Sequence, residues 1–388
     1  MYKITWVGGM GKNTKQKKIA FLINSLGKGG AERVVVNLAA HFRTLGYEIL
    51  LVTSRRLPEE YELSFPVVRR LLEDEISSAP FGRPGKIPAR VVRLHRIWKE
   101  EKPDVILSFI GKMNLYAMLS TGRMSIPVIL SVRSDPAREY PSLLQKKLAE
   151  GLFRKAAGVI FQTEDAKLAF SARVQAHSVV LPNALDESFV RPPFAGRRRP
   201  EIVMVGRLDQ NKNHAMVLRA FAGLHQRYPD VRVVLYGGGL PGSDTGPMLV
   251  ELAKELGIGD KVKFMGRQKD IRKYIEQSAI FVLASDYEGM PNALLEAMAS
   301  GLAVISTDCP CGGPRSVIRN GENGILIPVG DEAALAGAME QLLQDPALGE
   351  RLGREASKLA QELSPRRVCR LWQEEIEGRV KDYVGGKS

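Results

Sequence analysis

Two short stretches of this 388-residue chain concentrate side chains that can handle anions and hydroxyl groups together. The first, SDYEGMPNALLEAMASG (285–301), carries Glu288 and Glu296, with Pro291 between them. Proline suits the first turn of a helix, where its missing N–H would be unpaired anyway. The amides of Asn292, Ala293 and Leu294 would then point forward from a helix N-terminus, a favourable seat for a phosphate. Glu288, ahead of the helix and beside Gly289 and Met290, can reach sugar hydroxyls. Glu296, about a turn further on, can accept hydrogen bonds from a ribose diol, because carboxylates are natural acceptors for paired hydroxyls. Alone, the two glutamates fit an acidic cap and a solvated side chain as well.

The second stretch is VGRLDQNKN (205–213), where Gly206 permits close backbone approach and Arg207 and Lys212 place two cations on one loop. A departing diphosphate gains negative charge and needs either a metal or fixed cations to neutralise it. No Asp-x-Asp metal motif occurs in the sequence. The Arg–Lys pair is therefore expected to serve, with neither metal nor cofactor. A third candidate, GKGGAERV (27–34), offers Gly29 and Gly30 as backbone donors to a phosphate, although a lone glycine loop is weak evidence. The dinucleotide pattern G-x-G-x-x-G fails there, because Glu32 stands where the last glycine belongs. GGMGKNT (8–14) is no phosphate loop either, since Trp6 replaces the leading glycine and Asn13 the Ser or Thr.

The elements that must hold these loops read as alternating strands and helices. Apolar runs begin at IAFLINSL (19–26) and continue with YEILLVTS, DVILSFI (104–110), PVILSV (127–132) and GVIFQT (158–163). FVRPPFAGRRRPE (189–201) has the proline, glycine and charge of a linker. The pattern then restarts with IVMVG (202–206), VRVVLYGGG (231–239), VKFMG (262–266), AIFVLAS (279–285), AVIST (303–307) and GILIPV (324–329). Such alternation implies an α/β fold of parallel β-α-β units. Two Rossmann-like domains facing across a cleft are expected: residues 1–190, with 1–18 as an extension, and residues 191–365. A final helix and tail, 366–388, should return to the first domain. The chain is also too long for one ordinary core.

No apolar stretch is long enough to cross a membrane, and the N-terminus has no secretory core. Cys309, Cys311 and Cys369 make no disulfide framework. A cytosolic protein is expected. Residues 1–200 hold 33 Lys and Arg against 18 Asp and Glu, so the first half carries more than the whole net charge of +13. Such a field favours anionic partners. Within it, RPGKIPARVVRLHRIWKEE (83–101) sets Val91, Leu94, Ile97 and Trp98 on one helix side and Arg90, Arg93 and Arg96 on another. That helix either lies on an anionic membrane or packs on its own sheet with the basic face left for lipids. No stacking platform or recognition motif supports nucleic acid.

With GKGGAERV and DCPCGGPRSVIRNGENGILIPVGD (308–331), the two stretches resemble glycosyltransferase family 4, whose members are retaining enzymes of the GT-B fold. The likeness covers most of residues 19–365 and is stronger in the second half. It implies that Arg207 and Lys212 hold a donor pyrophosphate, Glu288 touches the donor sugar, Glu296 binds ribose, and Gly266 and Arg267 lie beside the base. It also implies a metal-free site and a nucleotide-sugar donor, UDP-linked hexose or N-acetylhexosamine foremost and GDP-mannose second. The basic first half makes a glycan or polyprenyl-diphosphate-linked glycan, met at the cytosolic face of the inner membrane, the expected acceptor. Two departures stand out. Many relatives have a histidine after the DVILSFI strand, where this chain offers Lys112 and Asn114. Ser316 replaces a frequent glutamate, leaving a third acidic donor contact in doubt. Arg133, in SVRSDP (131–136), is a further contact candidate for donor or acceptor. Rival readings are a UDP-sugar epimerase of the same fold and a non-catalytic membrane- or protein-binding scaffold.

Overall fold

The computed structural model describes residues 16–27, 29–73, 86–122, 124–240 and 242–386. The GGMGKNT stretch, nearly all of the expected 1–18 extension and residues 83–85 lie outside the described residues. The first sheet contains β1 (Lys18–Ile23), β2 (Glu48–Thr53), β3 (Val68–Leu71), β4 (Val105–Phe109), β5 (Val128–Ser131), β6 (Gly158–Phe161) and β7 (Ser178–Val180). Its strand order is β3-β2-β1-β4-β5-β6-β7. The second contains β8 (Arg199–Val205), β9 (Arg232–Tyr236), β10 (Val262–Phe264), β11 (Ser278–Leu283), β12 (Ala303–Thr307) and β13 (Ile325–Ile327), ordered β10-β9-β8-β11-β12-β13. Every pairing is parallel. Helices cover both faces of such sheets, which is why the central strands are apolar throughout rather than alternating.

Strand order reverses between β1 and β4 in one sheet and between β8 and β11 in the other. In open parallel sheets the carboxyl ends at such a switch point frame the ligand crevice. The loops leaving these four strands lead into Gly29–Gly30, Gly111–Lys112, VGRLDQNKN and SDYEGMP. The topology thus explains why the chemistry-bearing residues sit where they do.

Two strands escape the sequence reading, and both are sheet edges. β3 reads VRRL and β7 spans three residues, none of them fully buried. An edge strand pairs on one side only and tolerates polar residues, so it leaves little hydrophobic signal. The 189–201 linker also ends earlier than expected, because Arg199 and Pro200 already belong to β8. Proline cannot donate to a ladder, and the β8–β11 register shifts beside it.

Five helices of the first domain matter for the site: α1 (Gly30–Thr44), α2 (Lys86–Glu101), α3 (Gly111–Thr121), α4 (Pro136–Glu139) and α5 (Leu143–Phe153). α2 packs inward. Leu94, Ile97 and Trp98 are buried, and the Trp98 indole donates to Ser120 Oγ at 2.8 Å. Arg90, expected on an open basic face, is buried and paired with Glu73. That face is therefore narrower than the spacing implied.

The C-terminal helix, Pro365–Gly385, returns to the first domain and packs on α1. Trp372 stacks on Phe109 with ring centroids 5.9 Å apart. His41 meets Gln373 at 2.9 Å, and the Tyr47 hydroxyl donates to Glu377 at 3.0 Å. Since Trp372 is 1% exposed, Trp372→Ala should cost about 3–5 kcal/mol through cavity formation. A denaturation midpoint equal to that of the parent would contradict this packing.

Candidate functional site

The second-domain wall is built from two loops stitched together. Asp209 caps the turn after β8, its carboxylate accepting from the Lys212 amide at 3.2 Å and pairing with Arg207 Nε at 3.2 Å. Lys212 Nζ reaches across to Glu288, which also accepts from Ser285 Oγ at 2.7 Å. Asn211 fastens the loops: its side chain accepts from the Tyr287 amide and donates to the Tyr287 carbonyl, each at 3.2 Å. The Asp286 amide closes the ladder on Asn211 O at 2.9 Å. Arg207 is left half exposed while Lys212 and Glu288 are largely covered.

The helix that follows runs from Asn292 to Ala299, with Pro291 as its cap rather than within its first turn. The Leu294 amide bonds to Pro291 O at 3.1 Å, so it is not open as the sequence suggested. Among the described residues the amides of Asn292 and Ala293 have no acceptor. They remain the donors of this N-terminus.

The first domain closes the opposite wall. Arg33, from the first turns of α1, pairs with Glu296 and donates from Nε to Tyr61 at 3.5 Å. Glu296 is 4% exposed and burial raises its pKa, while Arg33 opposes the rise. The expected ribose acceptor is thus already occupied. Gly30 begins α1 so close to Asn292 that an added Cβ would lie 3.2 Å from its side-chain Nδ2. Gly29 is not an open donor, because its amide turns back to Gly27 O at 2.7 Å. Glu32 sits near Arg207, with its pKa raised by burial against that cation's pull.

Asn183 is the centre of the seam. Its Nδ2 donates to Met290 O at 2.9 Å and to Asn292 Oδ1 at 2.8 Å. Arg133 donates to its Oδ1 and lies 5.5 Å from the Trp372 ring centroid. Gly289 passes so near that an added Cβ would stand 2.7 Å from Arg133 O. Thr163 donates to Cys311 O at 2.8 Å, and Arg315 reaches Asp165 at 3.0 Å. Burial pushes the Cys309 thiol up to about 12 and Cys311 to about 11, so both stay protonated.

Two sequence candidates therefore turn away from the cleft. Arg133 is buried in the seam, where Asn183 and the Trp372 face hold it. Asn114 is also buried, donating to Ser131 O at 3.0 Å to tie α3 to β5. Lys112, two residues earlier, stays exposed. Gly266 adopts a left-handed φ of +63°, and Arg267 extends toward Glu59 of the first domain at 3.9 Å. Ser316, in place of a carboxylate, closes its own turn on Gly313 O at 2.6 Å. Sequence reasoning missed Arg33, Asn183, Asn211 and Glu139. Arg33 and Asn211 lay inside motifs already singled out, GKGGAERV and VGRLDQNKN, while Asn183 and Glu139 lay outside any.

Glu139 ends α4 and faces α3. Its carboxylate accepts from the Gly111 amide at 2.8 Å and the Arg133 amide at 3.2 Å, joining the loops that follow β4 and β5. The described residues contain no group of three or more His, Cys, Asp or Glu placed to hold a metal ion.

Residues 28–189 match Glycosyltransferase Family 4, and residues 188–359 match Glycosyl transferases group 1. The chain belongs to glycosyltransferase family 4. Its two parallel-sheet domains form the GT-B fold. The N-acetylgalactosamine-N,N'-diacetylbacillosaminyl-diphospho-undecaprenol 4-alpha-N-acetylgalactosaminyltransferase of Campylobacter jejuni is 26% identical over 378 residues, covering 91% of this chain and 98% of that protein. A second C. jejuni protein is the GalNAc-alpha-(1->4)-GalNAc-alpha-(1->3)-diNAcBac-PP-undecaprenol alpha-1,4-N-acetyl-D-galactosaminyltransferase. It is 25% identical over 357 residues, covering 92% and 97%. Among solved structures, HepE from Anabaena in complex with UDP superposes with a TM-score of 0.77 at 19% identity, covering 93% of this chain and all of that one. Sucrose-phosphate synthase from Thermosynechococcus elongatus gives 0.79 at 19% identity, covering 96% and 100%.

Two predictions follow from the walls of the cleft. Arg33→Ala strands the buried Glu296 carboxylate and should cost about 3 kcal/mol in denaturation experiments. Adding Glu296→Gln should recover much of that loss, since the orphaned charge goes with it; a double variant no more stable than Arg33→Ala would refute the pairing. Burial raises Glu139 from 4.5 to about 7, against the pull of its amide donors and Arg133. Between those values the folded chain keeps a proton that the unfolded chain has released, so this residue's contribution to stability falls as pH rises through the window. Glu139→Gln should flatten the fall. Melting temperatures with the same pH slope in both proteins would count against it.

Proposed function

We propose that this glycosyltransferase is a retaining, metal-independent enzyme. It takes a hexose or N-acetylhexosamine from a nucleotide-diphosphate sugar, UDP-linked foremost, and adds it to a polyprenyl-diphosphate-linked glycan at the cytosolic face of the inner membrane. One observation carries the reading: Lys212 pairs with Glu288 across the loops that leave β8 and β11, Arg207 lies near Glu32 of α1, and the open amides of Asn292 and Ala293 begin the helix that follows Glu288. Cations and amides fixed before the reaction stabilise charge that develops on a leaving group without reorganising. They do so best in a crevice where water is scarce.

In this reading the pyrophosphate lies between Arg207, Lys212 and the helix amides, with Gly206 and Gly30 allowing its close approach. Glu288 engages the donor sugar beside Gly289 and Met290. Glu296 accepts from the ribose, and Gly266 and Arg267 flank the base. Lys112, exposed on the first turn of α3, faces the acceptor. The departing phosphate oxygen takes the acceptor's proton as the new glycosidic bond forms on the same face. The acceptor class rests on the two C. jejuni relatives, whose names specify diphospho-undecaprenol substrates. No nucleic-acid partner is proposed.

Arg207→Ala and Lys212→Ala should each lower turnover by about a hundredfold or more while the fold is kept, as when one donor is removed from a preorganised anion site. Release of free UDP in the presence of acceptor measures it, and interconverted UDP-sugar without acceptor would indicate an epimerase. Turnover near that of the parent in both variants would overturn the electrostatic mechanism.

A further inference from the structure

We infer that the outer face of α5 docks this enzyme on an anionic lipid bilayer. Leu143 and Leu144 are 78% and 77% exposed, the highest values for large apolar side chains among the described residues. Leu148 is exposed on the same side of the helix. Single exposed leucines are ordinary, but a pair on one helix tip with a third a turn later is not. Ser142 caps the helix by accepting from the Gln145 amide at 3.2 Å, so the pair is held on ordered backbone.

Lys146 and Lys147 are exposed about a turn behind the leucines, and Lys155 is exposed past the far end of the helix. Among the described residues no carboxylate lies within ion-pair distance of any of them. The helix's one acid, Glu150, is turned toward Ser171 and Arg154. The face is thus apolar at its tip, with lysines that carry no ion pair behind it. Acyl chains accept the leucines and anionic headgroups the lysines, as for helices that lie in an interface. A second copy of a chain with net charge +13 complements it poorly.

The position fits a lipid-borne acceptor, so the inference rests on that part of the proposed function. Arg138 of α4 lies 4.7 Å from the Tyr287 ring centroid at the cleft. Leu143 stands five positions further along the chain, a span of at most about 18 Å. A bilayer beneath α5 therefore brings membrane-anchored sugars to the cleft mouth. α2, the helix first suspected, has its tryptophan turned inward.

The test uses the full chain with vesicles of equimolar phosphatidylcholine and phosphatidylglycerol, against phosphatidylcholine alone, in co-sedimentation at low salt. Binding should require phosphatidylglycerol. The double variants Leu143→Ser with Leu144→Ser, and Lys146→Glu with Lys147→Glu, should each weaken it by at least about tenfold. These side chains are exposed, so the fold and the thermal shift produced by UDP should persist. No binding of the parent to either vesicle overturns the inference, as do variants that bind equally well. So does a leucine variant that merely turns a dimer into a monomer. Loss of the UDP shift in every protein, with vesicle binding intact, would instead defeat the donor assignment and leave the docking face standing.

Discussion

Glu296 is a carboxylate with almost no contact with water, held beside a cation that belongs to the other domain. A buried charge left unpaired costs several kcal/mol, so Glu296 can stay ionised in this closed arrangement only while α1 presents Arg33 to it. Much of the site depends on that closeness. It sets Gly30 against Asn292 and brings Asn183 to the Met290 carbonyl. The seam that keeps the domains together and the wall of the crevice are the same residues.

This explains which parts of the site were readable from the chain. Arg207, Lys212 and Glu288 announce themselves because each lies in a short loop directly after a strand, where local spacing fixes their placement. Arg33 lies 263 residues from its partner, and no local pattern can report such a pairing. Asn183 and Glu139 share that difficulty, since each works by reaching main-chain groups of other elements. Arg133 and Asn114 failed in a different way. The end of a strand can be read from sequence, but the direction a side chain takes from it is decided by what packs nearby. At the fold level the apolar central strands were legible. The arginine-bearing β3 and the three-residue β7 were not.

The charge surplus of the first half has a similar lesson. Counting shows that it exists but not where it is free. Arg90 meets Glu73, Arg69 meets Glu60, and Lys18 meets Glu48 and Glu101, so these cations are spent within the fold. The amphipathic spacing of α2 was genuine, yet it describes an inner face that covers the sheet. What solvent meets is the remainder after such pairing. A net charge therefore predicts the sign of a partner better than it predicts the surface that receives it.

The crevice itself is nearly neutral in detail. Arg207 has Asp209, Lys212 has Glu288, and Arg33 has Glu296. Partnering lowers the cost of keeping cations clustered before any anion arrives, and it holds each side chain in a defined place. Under the proposed reaction a diphosphate competes with Asp209 and Glu288 for the N–H groups of Arg207 and Lys212. Each carboxylate it displaces is left with unsatisfied lone pairs in a covered site, which is costly unless a hydroxyl donor takes the vacancy. The sugar and ribose of a nucleotide sugar supply such hydroxyls beside the phosphates. A bare diphosphate would pay for the exchange without them. Under that reading, the pairing that holds these cations in place also favours the intact donor over its phosphate part alone.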